Sequence, residues 1–259
     1  MDLGLKGKAA IVCGASRGMG RATAEMLAAE GVALTLLARN PERLEAAAAD
    51  IRARFGVPVT AVAGDVTRAG DRDRLVAACP APDILITNAD GMPPGDFRAW
   101  SRDDWIAALD AMMLAPIALM KATVDGMMDR GFGRIVNIVS RSVKSPQAEM
   151  GLSNGARSGL VGFVAGLARQ TVARGVTINN VLPGIVATDA QRHHVEKLSA
   201  MSGRPFADLW AERATQNPAG RYGEAAEIGA TIAFLCSAHA GFITGQSLLV
   251  DGGQYPGTY

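Results

Sequence analysis

Three glycines and two arginines near the N-terminus carry the first chemical signal in this chain. In CGASRGMG, Gly14, Gly18 and Gly20 follow a short apolar run and precede an alanine-rich one. Such a loop, set between a buried strand and a helix, brings backbone up to a pyrophosphate: one glycine permits the tight turn, one admits the phosphates, and one lets helix pack on strand. The helix N-terminus adds unpaired N–H groups and the positive end of its dipole. The functional reading is a dinucleotide cradle made by Gly14, Ser16, Arg17, Gly18, Met19 and Gly20; the plainer one is a glycine turn. The next apolar run ends in Ala38-Arg39-Asn40. An acidic residue there would hold the adenosine ribose hydroxyls and favour NAD(H). Arg39, together with Arg17, instead suits a 2′-phosphate, because a guanidinium fork matches phosphate geometry. The pattern predicts NADP(H) over NAD(H), with a pair of solvated arginines as the simpler account. Asp65 and Val66, after the third apolar run, are placed to meet the adenine, or are ordinary loop residues.

Positioning such groups needs strands that end side by side. Seven short aliphatic or β-branched runs alternate with longer helical stretches: KAAIVCG, VALTLLA, PVTAVAGDV, DILITNA, RIVNIVS, TINNVLPG and QSLLVDGG. Strands separated by helices need right-handed crossovers, which predict a parallel sheet covered on both faces, in an α/β fold. Gly31 is expected to end the first helix, since glycine takes the left-handed conformation cheaply. Asn40 is expected to cap the second, with Pro41 at its first position. The longest helices are expected over about 105–128 and 154–174. With no repeat or linker in the sequence, one domain over 1–259 is predicted.

The bulk properties exclude several classes. A net charge of +1 gives no field to draw nucleic acid or an anionic membrane. Cys13, Cys79 and Cys236 have neither metal-ligand spacing nor an even count, which suggests a reducing compartment and no metal. The N-terminus lacks the pattern of a signal peptide, and no apolar run reads as long enough to span a bilayer. A soluble cytoplasmic protein is expected.

The order and spacing of GASRGMG, TNADG, RIVNIVS, LPGIVATD and LLVDGG resemble the classical short-chain dehydrogenase/reductase family, in its 3-oxoacyl-carrier-protein reductase-like group. The resemblance covers nearly the whole chain. It implies a Rossmann-type doubly wound sheet of seven parallel strands, a nicotinamide cofactor and a homo-oligomer, usually a tetramer. It also implies that Asn88 and Ala89 lie beside the cofactor, and that Pro183, Gly184, Val186 and Thr188 form the nicotinamide-side loop. There the Val186 backbone would hold the carboxamide and Thr188 the pyrophosphate.

The family's Asn-Ser-Tyr-Lys set is incomplete here. Ser140 matches the serine, but Ser153 stands at the tyrosine, Arg157 at the lysine and Met112 at the asparagine. Asp90 replaces a glycine and Cys13 the opening Thr or Ser of the glycine motif. In the family, the tyrosine gives a proton to a carbonyl oxygen while the lysine lowers its pKa from about 10. A serine is a far weaker acid, and losing a positioned general acid typically costs on the order of 10²–10⁴ in rate. Arg157 still offers hydrogen bonds to ribose hydroxyls but stays charged. Met112 reads as core filler. Asp90 would weaken binding of an anionic cofactor unless an arginine offsets it. A reductase-like subgroup with a similarly altered set carries VK followed by LSN and an arginine, which makes Lys144 the leading substitute acid, against a solvated loop lysine. Glu149, Asp90, His193, His194 and Tyr255 are weaker candidates, and Tyr222 looks structural. The leading expectation is an NADP(H)-linked oxidoreductase of carbonyl or alcohol substrates with an atypical proton donor. The alternatives are a silent binding protein, or subunit of an active relative, and a non-redox lyase or isomerase.

Overall fold

The computed structural model describes residues 1–258. Each of the seven apolar runs contains a strand: β1 Ala9–Cys13, β2 Ala33–Ala38, β3 Val59–Ala63, β4 Ile84–Thr87, β5 Gly133–Ile138, β6 Val176–Pro183 and β7 Ser247–Val250. The helices are α1 Gly18–Ala29, α2 Pro41–Phe55, α3 Ala69–Ala78, α4 Arg102–Leu109, α5 Ala115–Asp129, α6 Gly151–Thr171, α7 Asp189–Ser202, α8 Phe206–Thr215 and α9 Ala225–Cys236. The strands form one sheet in the order β3-β2-β1-β4-β5-β6-β7, every neighbouring pair parallel. This is the doubly wound, Rossmann-type sheet that the alternation predicts.

The sheet is apolar on both sides because both are covered. One face packs Leu27 of α1, Leu44 and Ile51 of α2 and Ile232 of α9. The other packs Leu75 of α3, Leu119 and Met120 of α5, and Leu160 and Val164 of α6. The caps of α2 are as expected. The Asn40 side chain accepts from the Arg43 N–H at 2.7 Å, Pro41 opens the helix, and Gly56 ends it in the left-handed conformation. Gly31 follows α1 at φ +78°.

Polar residues fix the register of the right half of the sheet. Thr87 Oγ1 donates to Asn137 Oδ1 at 2.6 Å, Asn137 Nδ2 to Asn180 Oδ1 at 3.0 Å, and Asn180 Nδ2 to Ser247 Oγ at 3.2 Å. These four residues are direct register partners across β4, β5, β6 and β7. Thr87, Asn137 and Asn180 are buried, so a one-residue slip would strand three side chains without partners in the core.

Two expectations about the middle of the chain need correction. The predicted helix over 105–128 is interrupted: α4 passes through a π-helical turn, Asp110–Leu114, into α5. Pro116 is the cause we assign, since it has no N–H for the Met112 carbonyl and its ring crowds that carbonyl. The stretch Arg102–Asp129, 28 residues, is also long and apolar enough by composition to cross a membrane, contrary to the sequence reading. Its apolar face is the one that packs Leu119, Met120, Val124 and Met127 onto the sheet. The second long helix begins at Gly151 and gives way at Val172 to a 3₁₀ turn.

The turn from α6 to β6 brings backbone close against backbone. Gly175 sits at φ +76°, and a Cβ there would overlap the Gly131 carbonyl oxygen. Gly56 has a similar φ of +68° but nothing within 4 Å of its would-be Cβ. Gly56→Ala therefore costs about 1–2 kcal/mol, the strain of the left-handed conformation alone. Gly175→Ala costs roughly 1–3 kcal/mol more, from overpacking. Urea unfolding of both variants checks this; equal losses at the two sites would contradict it.

Candidate functional site

Strand order reverses between β1 and β4, and the crevice beyond the carboxyl ends of those strands is where open α/β sheets bind ligands. A groove of about 400 Å³ lies there. Of the expected cofactor residues, Gly14, Ser16, Arg17, Gly18, Met19, Arg39, Asp65, Val66, Asn88, Ala89, Arg157 and Thr188 line it. Gly20, Pro183, Gly184 and Val186 do not line it. Gly20 is buried where a Cβ would overlap the Gly14 carbonyl oxygen, so its role is close packing of α1 on β1. Gly14 turns the chain at φ +62°, and its would-be Cβ lies 2.5 Å from Asn88 Nδ2. Gly18 turns at φ +57°, and its would-be Cβ lies 3.5 Å from the Thr188 methyl carbon. The two phosphate-side loops thus line the same groove side by side. Thr188 also caps α7, its hydroxyl accepting from the Gln191 N–H at 3.3 Å. Cys13 is buried, and burial pushes its thiol up to about 12, so it is an inert core residue.

Both arginines line the groove, and each meets a carboxylate there. Arg39 forms an ion pair with Asp90, both exposed, and Arg17 reaches Asp189 at 3.4 Å. Asp90, a negative charge at the groove, is therefore matched by an arginine that follows β2, across the end of β1. The Asp65 carboxylate accepts from the Thr67 N–H at 2.9 Å and its hydroxyl at 2.8 Å, which holds it below the usual carboxylate range. The neighbouring Val66 lines the same wall.

At the catalytic positions, one residue organises the others. Arg157 is 8% exposed and spends four of its five N–H donors on protein: Nε on Ser153 Oγ at 3.1 Å, Nη1 on the Ile138 and Val139 carbonyls at 3.1 and 2.6 Å, and Nη2 on the Ala89 carbonyl at 3.3 Å. Burial brings its pKa down to about 10, opposed by the charge of Asp90, so it remains a cation at neutral pH. Ser153, 2% exposed, is Arg157's acceptor one helical turn away and does not line the groove. Met112 is buried with Ala108, Leu152 and Ala156, as core filler would be. Ser140 is half-buried, and its Oγ accepts from the Ser142 N–H at 3.1 Å, leaving its own O–H free to donate. Lys144 ends the same turn, with its ammonium 5.9 Å from the Tyr255 ring centroid and away from the groove lining.

The start of α7, at Asp189 and Ala190, borders the groove, and α8 packs on α7. Trp210 stacks on Tyr222 at 4.0 Å and on Phe206 at 5.5 Å. His193 is exposed, its Nδ1 at 2.7 Å from the Asp189 carbonyl. His194 is more buried; burial and the charge of Arg213 hold its pKa down. Arg141 is held down by burial first and by Arg213 second. Sequence reasoning passed over both arginines. The available signal was that Arg141 directly follows Ser140.

This geometry has counterparts. The family model described as enoyl-(acyl carrier protein) reductase matches residues 14–254. The 3-oxoacyl-[acyl-carrier-protein] reductase FabG of Vibrio harveyi is 33% identical, covering 98% of this chain and 99% of its own. The chain belongs to the classical short-chain dehydrogenase/reductase family. Among other members, the NADPH-dependent reductase BacG of Bacillus subtilis is 32% identical over 95% of this chain and 97% of its own. The L-sorbose reductase of Gluconobacter frateurii, solved with NADPH and L-sorbose, superposes with a TM-score of 0.92 at 29% identity, covering 98% of both chains.

The Arg157 contacts make a stability prediction. Ser153→Ala leaves a buried N–H unmet and costs about 1–3 kcal/mol. Arg157→Met orphans the carbonyls of Ile138, Val139 and Ala89 and costs more than Ser153→Ala. In Arg157→Lys a single ammonium cannot span the same acceptors, so the loss falls between the two. Urea unfolding of the three variants reads this order, and a neutral Arg157→Met would refute it.

Proposed function

We propose that this chain is an NADP(H)-linked reductase of carbonyl compounds, or oxidant of the corresponding alcohols, with proton delivery that does not use a tyrosine. Two members with similar sequence or structure are named as NADPH-dependent or as NADPH complexes, and the groove suits such a ligand. The observation that carries the reading is the glycine loop, whose Gly14–Gly20 approach leaves no room for a Cβ, facing a buried arginine with one N–H unspent. Backbone at the loop would take the pyrophosphate, Arg157 a ribose hydroxyl, and Arg39 the 2′-phosphate. Asp65 and Val66 would flank the adenine, and the Val186 backbone the carboxamide. When bound, the nicotinamide supplies or accepts hydride.

The remaining chemistry belongs to side chains. The free O–H of Ser140 points the carbonyl oxygen and stabilises charge developing on it. In this reading Lys144 gives the proton. What supports it is its place on the turn capped by Ser140, with no carboxylate within salt-bridge distance among the described residues. Exposed apolar side chains on α4 to α6, Trp105, Ile106, Leu114 and Phe163, support a homo-oligomer built on those helices. Three free, buried thiols support a cytoplasmic location.

A fluorescence titration with NADPH and NADH, followed by the absorbance of the reduced nicotinamide with a panel of ketones and 3-oxoacyl thioesters, tests the proposal. NADPH binds more tightly, and Arg39→Ala weakens it about 10–100-fold, the worth of one charged hydrogen bond, while NADH is little changed. Ser140→Ala and Lys144→Ala each lower turnover at unchanged NADPH affinity. Cofactor binding without turnover of any carbonyl would instead favour a silent binding protein, and absence of binding would end the oxidoreductase reading.

A further inference from the structure

One ion pair spans the groove, and both of its members are residues a bound cofactor would meet. Arg39 follows β2 and Asp90 follows β4, on either side of β1 in the sheet. Their side chains pair across the carboxyl end of β1, where the glycine loop starts, and both line the groove with Gly14. Among the described residues, this is the one hydrogen bond of the Arg39 guanidinium. Asp65, which lines the same groove, accepts instead from the Thr67 N–H and hydroxyl. The residue before Asp90 is tied down: the Ala89 carbonyl accepts from Arg157 Nη2 at 3.3 Å. Asp90 is thus presented to Arg39 from the anchored platform. A glycine at the same place would offer Arg39 nothing.

A carboxylate and a phosphate ester both present oxygens that a guanidinium fork binds. Before any ligand arrives, Arg39 therefore holds a group of the same kind as the 2′-phosphate that distinguishes NADP(H) from NAD(H). A ligand with that phosphate exchanges one charged pair for another and gains the difference between them. A carboxylate left close by also repels the phosphate. A ligand with a free 2′-hydroxyl leaves the pair intact and forfeits nothing. Both side chains are more than half exposed, and an exposed pair holds weakly, so the exchange is easy and its effect on affinity is modest.

We propose that Asp90 is a specificity-determining residue: it stands in for the 2′-phosphate on Arg39 and narrows the preference for NADP(H) over NAD(H). The proposal rests on the NADP(H) reading of the groove and adds a residue that works against the preference Arg39 creates. Arg43, in the first turn of α2, lines the same groove and supplies the 2′-phosphate binding that survives Arg39→Ala.

Fluorescence titration of the full chain with NADPH and NADH, in native protein, Asp90→Asn, Arg39→Ala and the double variant, tests this. The readout is the ratio of the NADH to the NADPH dissociation constant, which largely cancels the gain any anionic ligand makes when a negative charge is removed. Asp90→Asn raises the ratio about three- to tenfold. With Arg39→Ala already in place, the same substitution leaves it within about twofold, because the two residues act through one contact. A ratio unmoved by Asp90→Asn overturns the proposal. So does an equal rise in the Arg39→Ala background, which would mean repulsion at a distance and not competition for one guanidinium. Isothermal titration with adenosine 2′,5′-bisphosphate and 5′-AMP repeats the comparison without a nicotinamide. The same gain there, with no turnover of any carbonyl compound, sinks the reductase reading and leaves Asp90 its role. Turnover with NADPH at an unmoved ratio does the reverse. Native protein that binds neither NADPH nor the bisphosphate overturns both.

Discussion

A buried guanidinium holds the business end of this sheet together. Arg157 leaves α6 and ends on three backbone carbonyls, two at the tip of β5 and one beyond β4. Those carbonyls sit where the strands stop and ladder partners run out, so each needs a donor from elsewhere. Taking a cation out of water is expensive, and the depressed pKa of about 10 is the sign of it, on the order of 3 kcal/mol relative to an unburied arginine. The sign is unambiguous. With the folded pKa below the unfolded one, the cost is fully present at neutral pH and is relieved only as pH rises through the folded value. Four hydrogen bonds offset it, and no carboxylate touches the group.

That arrangement links fold to function through electrostatics. A cation fixed at the floor of a groove, with the N-terminus of α1 on one side, creates a positive potential where an anionic dinucleotide fits. Asp90 tempers the potential at the rim, and its pairing with Arg39 means that an incoming phosphate competes with a carboxylate for the same guanidinium. A pinned arginine cannot move a proton as a lysine–tyrosine pair does. In the proposed mechanism the residue that holds the nucleotide platform cannot serve the usual proton path, and the proposed chemistry falls to Ser140 and its turn.

Much of this was legible in residues alone. Strands buried on both faces announce themselves as unbroken aliphatic runs, and a glycine loop between strand and helix has few other uses. Asn40-Pro41 predicted the start of α2 because capping is local. What escaped was nonlocal, or was read in the wrong frame. Ser153 and Arg157 are four apart on a helix, the spacing at which side chains meet. Matching each to a separate catalytic slot hid that they bind each other. Arg39 and Asp90 lie far apart in sequence, and only the sheet order brings their charges together. The π-helical turn before Pro116 follows from a ring that crowds a carbonyl one turn back, a local cause that a search for helical periodicity averages away.

The claim that Arg157 joins structure to cofactor is tested most directly by a crystal structure of the protein with NADPH bound. The account predicts that the guanidinium keeps its bonds to the Ile138 and Val139 carbonyls and turns its remaining N–H to a ribose hydroxyl of the cofactor. An Arg157 swung out into solvent, or a cofactor seated beyond its reach, would contradict it.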